Sequence, residues 1–521
     1  MIRFLLRRLA MAIGILFVIS FVAYGLLALA LDPMSDLRES TALNKEQLIQ
    51  RRIDMLQLDE HWTVRYWDWL TNILLHWDLG DAWKTGQKVN DMLGPAMMTS
   101  VQLVATATFL ALVVGVVVGV VSALRQYTSF DYSITLVSFV LYALPVFWVA
   151  VLLKEYLAIG LNDYLADPVP NWPLLVGLGV VAGLFWVGAL GGDLKRRLLI
   201  FVSAFVITFG LLALAIVTGW ISEPMLGIIG VGLAGVGIAY CVTLVSAGLK
   251  NRRALYSSLT MVAIGLALYY PLQYLFYYWA DVWRHDFFLG LSQGTATLIG
   301  LLLLTIALGC VVGWLFAGDD RGVSMRGAAL TGALIAAVIY VDQLLQNWDN
   351  YFGNSFIRGR PIATIGSRTP GFDENYWMVT LDRATHLLLP TMALVLISFA
   401  GYVRYERGAT LEVLSQDYIR TARSKGLSER VVVVRHALRN ALMPLASIIP
   451  VDIVSLLGGA VITETIFGWS GMGKFFIDSL GSDQIDPVMI YILFTGALAM
   501  LANLLADLLY GLLDPRIRVN A

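Results

Sequence analysis

Cysteine is nearly missing from this chain. Cys241 and Cys310 are the only two among 521 residues, and both stand inside apolar runs. A disulfide framework or a thiolate metal site is therefore not expected, and both read as small core residues. Histidine is also sparse: His61, His76, His285, His386 and His436 are scattered, with no His-Glu-x-x-His or other ligand spacing, so no metal centre is expected. Charge is scarce as well, at 14% of residues against about 25% in soluble proteins. No nucleophile elbow, dinucleotide fingerprint or nucleic-acid signature stands out, so catalytic residues, a bound cofactor and a nucleic-acid partner are not expected. What fills the chain is apolar: 58% hydrophobic residues and a mean hydropathy of +0.74. Such a composition describes an all-α polytopic membrane protein. The net charge of -1 says little about partners, because placement of charge matters more than its sum in the bilayer.

Arg3, Arg7 and Arg8 precede an apolar run from about Leu9, long enough at about 20 residues to span a bilayer. It reads as an uncleaved first span with its N-terminus in the cytoplasm. Residues 32–98 are polar, rich in tryptophan and more acidic than basic, as expected for an outer loop. Two spans near 99–123 and 131–153 follow, the second kinked at Pro145. Six more apolar runs lie near 173–192, 198–220, 225–248, 254–279, 295–317 and 327–345. Basic loops recur at every second connection, at Lys195 to Arg197, Lys250 to Arg253 and Arg321 to Arg326, as the positive-inside rule requires. A second outer loop fills 346–385, and three last spans lie near 386–409, 445–467 and 488–513.

Between the first two of these last spans stands a polar, strongly basic island, Leu414 to Pro444. Asp417 is the expected N-cap of a short helix, Gly426 its terminator and Ser428 the cap of a second helix running toward Asn440. Arg420, Arg423, Lys425, Arg430, Arg435 and Arg439 outnumber Asp417 and Glu429, which assigns the island to the cytoplasmic side.

The run Asp417-Tyr418-Ile419-Arg420-Thr421-Ala422-Arg423-Ser424-Lys425-Gly426-Leu427 resembles the "EAA" loop of importer-type ABC permeases, in the form seen in the dipeptide/oligopeptide group. Ala422 and Gly426 keep that loop's spacing of second alanine and glycine. Arg420 and Thr421 replace its glutamate and first alanine, a variation the peptide group shares. The family's proline would fall near Arg439 and here comes later, at Pro444. Asp78-Leu79-Gly80, Leu144-Pro145-Val146-Phe147-Trp148, Phe467-Gly468-Trp469-Ser470-Gly471-Met472-Gly473 and the closing Asp514-Pro515-Arg516 extend the likeness to the B-type subunit of peptide permeases. It covers about 1–160 and 350–521 and leaves the middle unexplained.

The resemblance implies a type I ABC importer permease core of about six transmembrane helices plus about six inserted ones. Residues 1–160 would supply the first three core spans with outer loop 32–98, residues 165–345 the insert, and residues 346–521 the last three core spans with coupling loop 414–444. It implies a multi-pass protein of a bacterial or archaeal cytoplasmic membrane, both termini inside. It would act as a permease for di- or oligopeptides, pairing with a sister permease, two ATPase subunits that carry ATP and Mg, and an extracytoplasmic solute-binding protein. Nickel or glutathione import is the alternative within transport. A membrane enzyme or regulator on a permease scaffold is the alternative outside it.

The expected coupling residues are Asp417, Tyr418, Arg420, Thr421, Ala422, Arg423, Lys425, Gly426 and Leu427, with Thr421 and Ala422 facing outward to dock on a partner. Gly468 to Lys474 falls one residue short of a phosphate-binding P-loop, with Phe475 where Ser or Thr would bind magnesium, and is expected to be a glycine-rich turn. Ionisable residues inside apolar spans are functional candidates by default. Asp452 is the candidate for the pathway; Glu464, Asp507 and Asp342 are weaker ones. The insert is expected to pad the periphery, with lipid contact or an extra partner as alternatives.

Overall fold

The computed structural model describes residues 2–39, 44–279, 281–288, 291–316, 318 and 321–513. The closing Asp514–Arg518 segment and the side chain of Asp507 lie outside the described residues. Nearly every described element is a helix; the exceptions are two short antiparallel ribbons, Asp81–Ala82 with Gln87–Lys88 and Asp286–Phe288 with Leu291–Ser292. Helices dominate because lipid offers no partner for backbone N–H and C=O groups, which a helix satisfies internally.

Eleven described helices are long and apolar enough to cross a bilayer. A twelfth span results if Ser129–Ala143 and Val146–Ala166 count as one. These two are bent by 103°, far more than the kink expected at Pro145. Leu144 is driven into extended backbone by the proline that follows it, and the helix restarts at Val146.

The chain divides into two compact units. The first comprises Met1–Glu155, Thr364–Ser367 and Leu387–Ala521. In it, Gly115 and Gly119 of the helix Val89–Leu124 face Tyr402 and Glu406, where an added Cβ would meet side-chain carbons. Ala111, Tyr402 and Leu445 form one buried cluster of this unit, and Leu103, Ala107, Leu394 and Trp469 another. The tryptophans and tyrosines near residue 66 divide by burial. Tyr66 and Trp69 pack on Tyr24 at ring distances of 5.6 and 5.8 Å, and the Tyr66 hydroxyl meets Ser20 at 2.8 Å.

The second unit comprises Tyr156–Ala363 and Arg368–His386. Helices Trp172–Leu190 and Leu194–Val217 form a hairpin in which Gly179 and Gly183 receive Phe205 and Phe201. Helices Gly227–Ser246, Arg252–Tyr278 and Arg321–Gln346 share a core of Val231, Val262, Tyr269, Ile335 and Ile339, against which Leu298 and Leu301 of Gln293–Leu315 pack. Gly309 and Gly313 lie directly on the backbone of Ala329 and Met325, the close approach that small residues spaced by four permit between membrane helices.

Candidate functional site

The basic island folds into a helix, a glycine turn and a second, longer helix. The short helix is Asp417–Ser424. Gln416, in extended backbone, occupies the N-cap, which places Asp417 in the first turn and corrects the expected cap by one residue. Neither Gln416 nor Ser428 makes a side-chain capping bond. Thr421 donates its hydroxyl to the Asp417 carbonyl at 2.9 Å. Gly426 follows at φ +75°, in open space, so its role is conformational: it takes the left-handed position that ends the helix. The chain then restarts at Glu429, passes through a π-helical turn, Val432–Ala437, and enters Leu438–Ile466.

One face of the short helix is buried. Ile419 and Ala422 pack with Val432 and Ala437, flanked by Val413 and Leu414. Ala422 therefore points inward, contrary to expectation, while Thr421 is exposed. The reason is helical period: positions three apart share a face, and Ile419 draws Ala422 inside with it. Two polar clasps hold the pieces together. Arg423 donates to both Glu429 oxygens at 2.6–3.2 Å, and Asn440 donates its amide to the Tyr418 hydroxyl at 2.7 Å. Arg420 lies 3.7 Å from Asp417. Exposed to the exterior are Asp417, Tyr418, Arg420, Thr421, Arg423, Ser424, Lys425, Gly426 and Leu427, with two large apolar groups 42% and 40% exposed at Tyr418 and Leu427.

The glycine-rich turn at Gly468–Lys474 is built around a carboxylate. Glu464 is fully buried; its oxygens accept the Ser100 hydroxyl and the amides of Gly473 and Lys474 at 2.7 and 3.1 Å. The Met472 amide donates to Ser100 in turn. The turn's amides at Gly471 to Lys474 are thus occupied by the Trp469 carbonyl, Ser100 and Glu464.

Asp342 is buried in the second unit and accepts four donors: the amides of Leu226 and Gly227 at 2.8 and 3.0 Å, the Tyr269 hydroxyl and the Gln346 amide. This is an acidic cap on the start of helix Gly227–Ser246, a structural duty that satisfies the carboxylate fully. Asp382 is likewise buried and accepts the Thr369 amide and hydroxyl and the Tyr351 hydroxyl. Burial pushes the Tyr351 phenol up, which keeps it a donor. Among the described residues no three His, Cys, Asp or Glu side chains gather in a metal-binding group.

Asp452 half-emerges into a cavity of about 650 Å³ lined also by Tyr142, Ser398, Tyr402, Arg404 and Tyr405. The Arg404 guanidinium lies 3.8 Å from the Tyr142 ring centre and donates Nε–H to the Ala400 carbonyl. Sequence reading passed over Arg404, the buried Glu406, and Arg407, whose fork meets Asp131 at 2.7 and 2.9 Å. Their signal was present, since all three are charges within an apolar span; only acids near the last two spans and the insert's end had been weighed.

Two family descriptions match. "Binding-protein-dependent transport system inner membrane component" matches residues 115–519, and the corresponding N-terminal description matches residues 1–109. The chain is 43% identical over 155 residues to the oligopeptide transport system permease protein OppB of Mycobacterium tuberculosis, covering 30% of this chain and 48% of that one. It is 45% identical over 148 residues to the dipeptide transport system permease protein DppB of Escherichia coli K12 (28% and 42%). It is 46% identical over 136 residues to the oligopeptide transport system permease protein AppB of Bacillus subtilis (26% and 43%). The chain thus spans less than half the length of each of these relatives.

Proposed function

The chain belongs to the family of binding-protein-dependent transport system inner membrane components, and from that premise we propose that it is a B-type permease subunit forming part of the pathway of an ATP-driven importer of di- or oligopeptides. The three relatives carry peptide transport in their names, which supports the substrate class. In this reading a sister permease completes the pathway, two ATPase subunits bind ATP and Mg, and an extracytoplasmic binding protein delivers the peptide. The membrane is the bacterial or archaeal cytoplasmic membrane, with both termini and the basic island on its inner side. Residues 1–160 and 346–521 act as the permease core and residues 165–345 as an added membrane bundle.

The observation that carries the proposal is the pre-folded helix Asp417–Ser424, anchored by Ile419 and Ala422 while Tyr418, Arg420, Thr421, Lys425 and Leu427 stay presented. A short rigid helix with an exposed mixed apolar and basic face suits a groove on a partner. Asp417, Arg423 and Gly426 shape that helix and its turn. Closure of the ATPase pair on ATP would move it, and the two spans continuous with it would carry the movement as a rigid-body swing. The test is uptake of labelled dipeptide into proteoliposomes holding the chain with its partners. Uptake that requires both ATP and the binding protein supports the proposal; peptide entry independent of ATP contradicts it.

A further inference from the structure

An arginine and an aspartate inside membrane spans call for an explanation when neither has an ion-pair partner. Arg404 lies in the span Tyr376–Leu414 and Asp452 in the candidate span Glu429–Val454. Among the described residues neither forms an ion pair. Arg404 is held only by its own helix carbonyl at Ala400 and by the faces of Tyr142 and Phe139. The Tyr402 hydroxyl, on a residue only 2% exposed, faces Asp452 as its polar neighbour. Of these five side chains, all but Phe139 line the same cavity of about 650 Å³. That is the size of a small-molecule site.

The composition of this cavity is specific. A metal ion or simple cation would leave Arg404 unmatched, and an anion would leave Asp452 unmatched. A lipid acyl chain would match neither. A zwitterion matches both at once, and a linear peptide is one, with a free ammonium at one end and a free carboxylate at the other. The aromatic clamp suits the carboxylate end, because Tyr142 fixes the plane of the guanidinium and leaves its outer N–H groups free to meet two carboxylate oxygens. Asp452, with the Tyr402 hydroxyl beside it, offers acceptors for an ammonium.

We propose that the Tyr142–Arg404–Asp452 cavity is a station within the membrane that reads the two free ends of a linear peptide, Arg404 taking the terminal carboxylate and Asp452 the terminal ammonium. This rests on the permease reading above and deepens it. It makes the permease itself selective for unblocked ends, in addition to any selection by the binding protein.

The experiment measures uptake by the assembled complex of three labelled peptides: free dialanine, its C-terminal amide and its N-acetyl derivative. One binding protein is used throughout, its affinity for each peptide measured separately so that its own preference divides out. In the wild type the free peptide is favoured beyond that preference. Arg404→Gln raises uptake of the amide relative to the free peptide by about ten-fold or more and leaves the acetyl ratio unchanged, whereas Asp452→Asn does the converse. Arg404→Lys, which keeps the charge but loses the planar fork, falls between the wild-type ratio and that of Arg404→Gln. Each variant reads a different end, so one that fails to assemble leaves the other to decide. Variants that transport peptide at wild-type ratios overturn the proposal while leaving the permease reading intact. A wild-type complex that imports none of the three overturns both.

Discussion

Arg407 and Asp131 show what a charge inside an apolar span needs in order to be tolerated. The Asp131 carboxylate accepts both arms of Arg407, the Ser122 hydroxyl and the Tyr127 amide, so its lone pairs are nearly all engaged. Removing one partner leaves a buried charge uncompensated. Arg407→Gln should therefore destabilise the chain by about 3–5 kcal/mol, read as a lowered unfolding midpoint in detergent, while a paired leucine replacement of both residues should recover most of the loss. Asp78, in the polar stretch before the second span, is held below the usual carboxylate range by the Gly80 amide and then by Lys88. A depressed pKa in the folded state stabilises above the ordinary aspartate value and loses that contribution as pH falls through the lowered one. Hydrogen exchange at the Gly80 amide should accordingly lose protection, relative to neighbouring amides, as pH falls below the ordinary aspartate range, and Asp78→Asn should abolish that dependence. At this scale the sequence was partly legible. The turn at Gly426 follows from glycine's access to positive φ, and the inward set of Ala422 was readable from Ile419 three residues earlier. Asp342 was flagged correctly as costly, but its four donors come from residues up to 116 positions away, which no local pattern reveals.

Helices were the most legible elements, because lipid forces each span to declare itself as a long apolar run. The run expected near 173–192 is Trp172–Leu190, and that near 254–279 is Arg252–Tyr278. The break at Leu144-Pro145 was legible in place and not in size, since a proline fixes local backbone while neighbouring contacts set the angle. Helix packing was less legible. Glycines are spread through most spans, yet only some touch a neighbour. Gly313 lies against the Met325 backbone, whereas Gly177 has no atom within 4 Å of an added Cβ. Gly313→Val should cost about 1–3 kcal/mol or more by forcing two helices apart, and Gly177→Ala should be neutral or slightly stabilising; thermal unfolding of the two variants side by side checks the contrast.

On the scale of the whole molecule, two compact units share one chain. The two family descriptions together cover residues 1–109 and 115–519, while each relative aligns over fewer than a third of this chain's residues. Local structure was legible where charge patterning and a short motif coincide, at 414–444; in 165–345 composition is dictated by lipid and carries little else. The central claim is that the presented face of helix Asp417–Ser424 and its turn couples this chain to its ATPases. Its most direct test is co-purification of the ATPase subunits with the wild-type chain and with an Arg420→Glu/Leu427→Asp variant, both positions being exposed and outside the buried cluster. The account predicts that the variant folds with an unchanged unfolding midpoint and loses the ATPases by about ten-fold or more. A variant that retains them at the wild-type ratio would contradict it.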